Sequence, residues 1–454
     1  MMLGIHLLLA PEAITIVTHG KERGSRRDWV MHMQPASSDT VRPRPSWWQL
    51  ILVVLLTTSI TASHLDEIAP TVARILRVLA YGSTLLISAW LAWPLLRSPR
   101  TAMRTFFQAY RRTILWPLVL YFLGLVIGAL RGPAPLSSLW QMLSDAVVFA
   151  FALLAFGWLV DDLNQAVRRL LVVVAILTSL ILAEALVVYV GNLAGWWLLN
   201  PYYHPGDLGF RMLMNGPFTH SNHLAYVLMA GAFAAGILAL VLQPTVRWGW
   251  FALTAFLALG VAVTFGRGAM LGTATGLLGI LSLRHRKLAI MLGAVALAGV
   301  LVLVAGAAGW IALPDFLPKI GFAGRNELWS AAIANLRVYG PLGVGPGQAD
   351  SIPGMGIHNF ILEQYGEGGI LTTLGVLGWL VLPIVHLRRS RLSPALAWAI
   401  VAAMAGLMVH GIFWSQFLNG LRFLTLVYVC LWTALATTGN RSQQSESRSQ
   451  NSDS

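Results

Sequence analysis

Apolar residues run through this chain in blocks of about 20, and the polar positions fall between the blocks rather than alternating within them. About 20 mostly apolar residues is what a helix needs to cross the hydrocarbon layer of a bilayer. By that ruler twelve spans are predicted, near 47–63, 73–96, 113–130, 136–160, 168–190, 222–242, 247–264, 268–283, 288–313, 369–386, 394–413 and 417–438. Composition agrees: 57% of the 454 residues are hydrophobic, 11% are charged and the mean hydropathy is +0.69. Soluble domains carry about 25% charged residues. So little charge cannot cover a water-soluble fold, and the same figures exclude disorder, collagen and disulfide-rich scaffolds. The predicted class is an all-α polytopic membrane protein with a large helical loop between the ninth and tenth spans.

Charge assigns the sides. Lys+Arg outnumber Asp+Glu by 31 to 18, a formal +13, and the basic residues cluster in alternate loops. Arg97, Arg100, Arg104, Arg111 and Arg112 form one cluster, and Arg168 with Arg169 a second. Arg247, then Arg284, Arg286 and Lys287, then Arg388, Arg389 and Arg391 follow. The positive-inside rule places these loops, and with twelve spans both termini, in the cytoplasm. Residues 1–45 read as a disordered extension, in which LGIHLLLAPEAITIV makes a poor signal peptide and Met31 and Met33 are alternative starts. The membrane domain covers 46–438, and the Ser/Gln-rich 439–454 reads as a disordered cytoplasmic tail. The single cysteine, Cys430, lies in an apolar run, so neither a disulfide framework nor a cysteine metal site is available.

Two outer loops are long, 191–221 and 314–368. The second holds RNELWSAAIANLRVYG, with Leu328, Trp329, Ala332, Ile333 and Leu336 at helical spacing and Asn326, Glu327 and Ser330 opposite. That pattern predicts an amphipathic helix on the membrane or over a cavity. Topology leaves Arg74, Arg77, Arg131, Arg211, Arg267, Lys319, Arg325, Arg337 and Arg422 on the outer side, where no topogenic role explains them. Arg267 stands out, since FGRGAM puts it in a tight turn between two spans. Its planar fork suits a phosphate, although a snorkelling arginine fits the same position. His358 opens the segment HNFILEQYGEG after Gly354 and Gly356, so a helix N-terminus favours its neutral ring, as a general base requires. A capping or packing histidine would look the same. His220 and His223 are three apart, but no third ligand has metal-like spacing. The chain contains no phosphate-binding loop motif and no serine nucleophile elbow. An outer-face enzyme without ATP needs a substrate that carries its own energy, such as a lipid-linked diphosphate sugar. Asp66 and Glu67 are the carboxylates that could hold a divalent cation against one, or simply a solvated helix end.

Three segments are similar to the bacterial O-antigen ligases and polymerases. FRMLMNGPFTHSNHLA resembles that family's arginine, Gly-x-Phe and Asn-x-x-Ala pattern, and TFGRGAMLG its Ser/Thr-x-x-Arg-Gly turn. GRNELWSAAIANLRVYGPLGVGPGQ followed by GIHNFILEQYGEGGILTTLG resembles the Arg-x-x-x-Trp helix, the Pro-x-x-Gly-x-Gly turn and the His-Asn-x-x-Leu helix of its large periplasmic loop. The resemblance covers 47–438 and implies a GT-C-like glycosyltransferase of the inner membrane, with its site facing the periplasm. It implies transfer of O-antigen polysaccharide from undecaprenyl diphosphate to the lipid A-core oligosaccharide, without cofactor or metal and with inversion. Arg211 and Arg267 match the arginines that hold the diphosphate, His358 the catalytic loop histidine, and Arg325 and Asn359 further substrate-binding positions. Where relatives carry serine before the second arginine, this chain has Phe265-Gly266.

Three rivals share these features: an O-antigen polymerase, a ligase acting on protein acceptors, and a transporter. The polymerase pattern of an arginine with a glycine eleven residues on is not met, since Asn222 stands there. A transporter needs ionisable residues at mid-membrane, for which Glu184 is the main candidate.

Overall fold

The computed structural model describes residues 58, 70–97, 110–158, 162–194, 214, 218, 221–242, 244–294, 298, 325–349, 357–413 and 423–438, all within one compact unit, 55–454. The described helices are α1 (Pro70–Arg97), α2 (Trp116–Arg131), α3 (Pro135–Trp158), α4 (Leu163–Leu193), α5 (Ser221–Val241), α6 (Pro244–Val263), α7 (Arg267–Ser282), α8 (Arg325–Ala334), α9 (Leu336–Tyr339), α10 (Phe360–Val385), α11 (Pro394–Gly411) and α12 (Phe423–Ala436). Ten of the predicted spans coincide with one of these helices. Most of each of the spans at 47–63 and 288–313 lies outside the described residues. Among the described residues, seven helices are long and apolar enough to cross a bilayer: α2, α3, α4, α5, α6, α10 and α11. The protein is therefore an all-helical, multi-pass membrane protein. The predicted 1–45 extension and 439–454 tail lie outside the described residues.

Helices in lipid gain little from hiding apolar surface from one another, so close backbone approach and side-chain fit decide which of them pair. The α2–α10 and α7–α11 pairs show it. Gly124 of α2 lies against Thr372 of α10, Gly375 lies against Tyr121, and Thr372 Oγ1 donates to the Tyr121 carbonyl at 3.2 Å. A Cβ on Gly272 of α7 would stand 2.5 Å from the Gly406 carbonyl of α11, so the two backbones touch. α5 packs on α4, α6 and α7, and 89% of its apolar window is buried. It is apolar all round, as a helix at the centre of a bundle is. α12 is buried along its whole length and packs on α3.

Hydrogen bonds sort the basic segments to one end of the bundle. Ser393 N–H donates to Asn164 Oδ1 at 2.7 Å, Arg391 N–H to the Thr437 carbonyl at 3.0 Å, and Thr113 Oγ1 to the Ala436 carbonyl at 3.0 Å. The clusters at 111–112, 168–169 and 388–391 thus share an end, as their alternation along the sequence requires.

The helix predicted to open at His358 starts at Phe360, behind the cap at Asn359, and non-helical backbone at Gly369 (φ 67°, ψ −155°) divides it from the span predicted from 369. One expectation is corrected: the amphipathic helix ends sooner than its apolar spacing suggests. α8 stops at Ala334, the Asn335 side chain donates to the Ala331 carbonyl at 2.9 Å, and the chain restarts as the single turn α9. Ala332, Tyr339, Ala349 and Ile357 then close a small core with Leu336, Val344, Leu362 and Tyr365, while Ile333 is left 55% exposed.

Candidate functional site

Between α6 and α7 the chain reverses in three residues. Thr264 Oγ1 donates to the Val261 carbonyl at 2.6 Å and accepts from Gly266 N–H at 3.3 Å, which closes the turn. Phe265 takes a left-handed φ of 53°. Arg267 is the first residue of α7 and is exposed, so its guanidinium stands at the positive end of that helix. The turn rests on the first turn of α5: a Cβ on Gly266 would lie 2.9 Å from Ala225 Cβ and 3.2 Å from Asn222 Oδ1. Glycine at 266 is what lets these two helix starts meet.

The start of α10 is built from the other direction. His358 has φ 50° and is half-buried, and it precedes the cap instead of beginning the helix. Asn359 is the N-cap: its Oδ1 accepts from Leu362 N–H at 3.1 Å, and its Nδ2 donates to the Ile412 carbonyl at 3.3 Å. The Gly-Pro turn before it straps onto α10, with Val344 N–H donating to the Gly366 carbonyl and Gly345 N–H to the Glu367 carbonyl, both at 2.8 Å. Gly347 N–H donates to Glu367 Oε1 at 2.8 Å, and Ser138 Oγ donates to the Pro346 carbonyl at 2.9 Å.

The C-terminal end of α11 joins the two halves. His410 is 4% exposed and its ring lies 4.9 Å from that of Tyr226 on α5. A Cβ on Gly268, the residue after Arg267, would stand 3.2 Å from His410 Nδ1 and 2.9 Å from Phe413 Cβ. Phe360 packs on Gly411, and the Trp329 ring of α8 lies 6.1 Å from that of Phe413. The starts of α5, α7 and α10 therefore meet at one end of the bundle, opposite the basic clusters, with α8 beside them. Three N-terminal helix ends and one arginine gather positive charge at this end, which suits an anion. The non-glycine residues with left-handed φ among the described residues are Phe265 and His358, one in each of the two turns. Backbone strain of that kind, of order 1–3 kcal/mol, persists where surrounding structure enforces it and concentrates at functional sites.

Arg267, His358 and Asn359 thus come from distant segments to one end. Arg211, His220, Asp66 and Glu67 lie outside the described residues, and of Arg325 the structure describes the backbone alone, as the first residue of α8. Among the described residues no group of three or more His, Cys, Asp or Glu side chains is placed to hold a metal ion.

Sequence reading missed His410, whose one signal is a histidine closing a long apolar run. It also missed the buried carboxyls. Glu184 is half-buried, whereas Asp145, Glu363 and Glu367 are 3%, 7% and 6% exposed. Glu363 and Glu367 lie four residues apart in the helix that the sequence places after Gly356, so their shared face was a signal available to the sequence reading. Comparison with protein-family models and with curated proteins finds no match to this chain.

Proposed function

We propose that the protein is a membrane glycosyltransferase of the O-antigen ligase type. It moves a polysaccharide from undecaprenyl diphosphate to the lipid A-core oligosaccharide at the periplasmic face of the inner membrane. The meeting of Arg267 and His358 at one end, among three helix N-termini, carries this reading. Arg267, joined by Arg211, grips the diphosphate in a two-toothed contact and offsets the charge that grows on it as the anomeric C–O bond breaks. The acceptor hydroxyl attacks that carbon from the opposite side and gives its proton to His358, so the configuration inverts. The energy comes from the diphosphate bond, and neither ATP nor a metal enters a step.

A strain lacking the gene tests this. Such a strain should accumulate lipid-linked polymer and lose capped lipopolysaccharide, and the wild-type gene should restore capping. Loss of polymer with single repeat units still transferred would make the protein a polymerase, and loss of glycoprotein alone a protein ligase. A second reading is supported by the buried Asp145, Glu363 and Glu367 beside the kink at Gly369, since ionisable groups within a membrane bundle and broken helices mark transport paths. Proton or solute flux in proteoliposomes, with no glycan transfer, would favour it.

A further inference from the structure

We infer that His410 is a positioning residue: its ring sets the spacing between the Arg267 turn and the start of α10. The inference rests on the glycosyl-transfer reading. His410 fills a slot between two helices, with the Tyr226 ring of α5 at 4.9 Å and an interplanar angle of 31° on one side. The other side is the bare backbone of α7, where a Cβ on Gly268 would lie 3.2 Å from His410 Nδ1 and one on Gly272 3.1 Å from His410 Cβ. Tyr226 is held in turn by the stacked ring of Tyr428, 6.2 Å away on α12. The ring therefore cannot shift without moving α5 or α7.

The next three residues hand that position on. Gly411 bears Phe360 with 3.5 Å between a Cβ on the glycine and Phe360 Cβ. The Ile412 carbonyl accepts from Asn359 Nδ2, and Phe413 bears Trp329. Gly268 is covalently next to Arg267, and Asn359 to His358. One buried ring thus sits one residue from the phosphate-facing arginine and, through two contacts, one residue from the base. At 4% exposure it does not itself meet substrate. A direct displacement requires the leaving diphosphate and the attacking hydroxyl in line across one carbon. An error of about 1 Å between the groups that hold them can cost about 10²-fold in rate.

His410→Ala opens the slot and His410→Phe refills it with a ring. In full-length protein reconstituted in lipid, His410→Ala should lower kcat by about 10- to 100-fold while KM for the lipid-linked donor stays within about threefold. His410→Phe should recover most of the loss. Spin labels at Met270→Cys and Ile361→Cys, both exposed and near the two helix starts, read the spacing directly in a Cys430→Ala background. The distance distribution should shift or broaden for His410→Ala and return for His410→Phe. Wild-type kcat in His410→Ala, a loss confined to KM, or a lost rate at unchanged label distance would each overturn the inference. A wild-type protein that transfers no glycan would instead overturn the functional reading, and the label distances would still decide whether His410 sets the spacing.

Discussion

Asn359 makes two bonds that can be separated by substitution. Its Oδ1 caps α10 by accepting from Leu362 N–H at 3.1 Å, and its Nδ2 holds the Ile412 carbonyl of α11 at 3.3 Å. A side-chain cap contributes about 1 kcal/mol. A neutral hydrogen bond contributes about 0.5–1.5 kcal/mol, and one of 3.3 Å belongs at the lower end of that range. Asn359→Ala removes both, a local cost of about 1.5–2 kcal/mol, whereas Asn359→Ser keeps a cap and loses about 0.5–1 kcal/mol. Hydrogen exchange measures local opening on this scale, because each 1.4 kcal/mol is a factor of ten in the open population. The amides of Leu362 and Glu363 should exchange about 20-fold faster in Asn359→Ala and about two- to fivefold faster in Asn359→Ser, while α12 is unchanged. Glycan transfer should fall in the same order, since the capped turn holds His358 at its φ of 50°. Exchange in Asn359→Ala no faster than wild type, or Asn359→Ser as fast as Asn359→Ala, would refute this division of labour.

His358→Ala should leave binding of undecaprenyl diphosphate nearly intact and retain about a hundredth of the transfer rate or less, since a general base contributes about 10²–10⁴-fold. Arg267→Ala should weaken both binding and turnover, with only partial rescue by lysine, in assays that compare equal amounts of folded protein. Transfer by purified enzyme should persist in excess chelator; loss of activity on EDTA and its return on adding magnesium would move the site toward Asp66 and Glu67. In intact spheroplasts of a Cys430→Ala background, an impermeant thiol reagent should label Val338→Cys and spare Arg286→Cys; the reverse would invert the topology. Gly272→Ala should destabilise by about 1–3 kcal/mol, because its methyl meets the Gly406 carbonyl at 2.5 Å. Gly249→Ala, with nothing within 4 Å, should be neutral or stabilise by up to about 1 kcal/mol in the same thermal melts.

The membrane-spanning helices were legible in the one-dimensional pattern because a bilayer imposes a one-dimensional rule: a helix must be apolar for the length of the hydrocarbon layer. The end of the bundle at which 111–112, 168–169 and 388–391 gather was legible for the same reason, since helix direction alternates with each crossing. So were Arg267 and His358 as residues in search of a role, because a charge or an imidazole at a helix start between apolar blocks has no packing pattern to explain it. Partners were not legible. Lipid tails are as apolar as leucine, so a residue facing lipid and one facing another helix look alike in sequence. Gly272 against Gly406, His410 against Tyr226 and Gly268, and Phe360 against Gly411 are therefore decisions of tertiary structure. The outward turn of Ile333 likewise depended on where α8 broke, at Asn335, and on which core formed beneath it. The helix start near His358 was legible, but the Asn359 bond to α11 and the strap of glycine backbone against the kink at Gly369 were settled by packing. Sequence alone determined that this chain crosses a membrane many times and which residues are candidates for its chemistry. Only the packing of helix ends, fixed by small residues whose partners lie tens to well over a hundred positions away, decided that Arg267, His358 and His410 share one place.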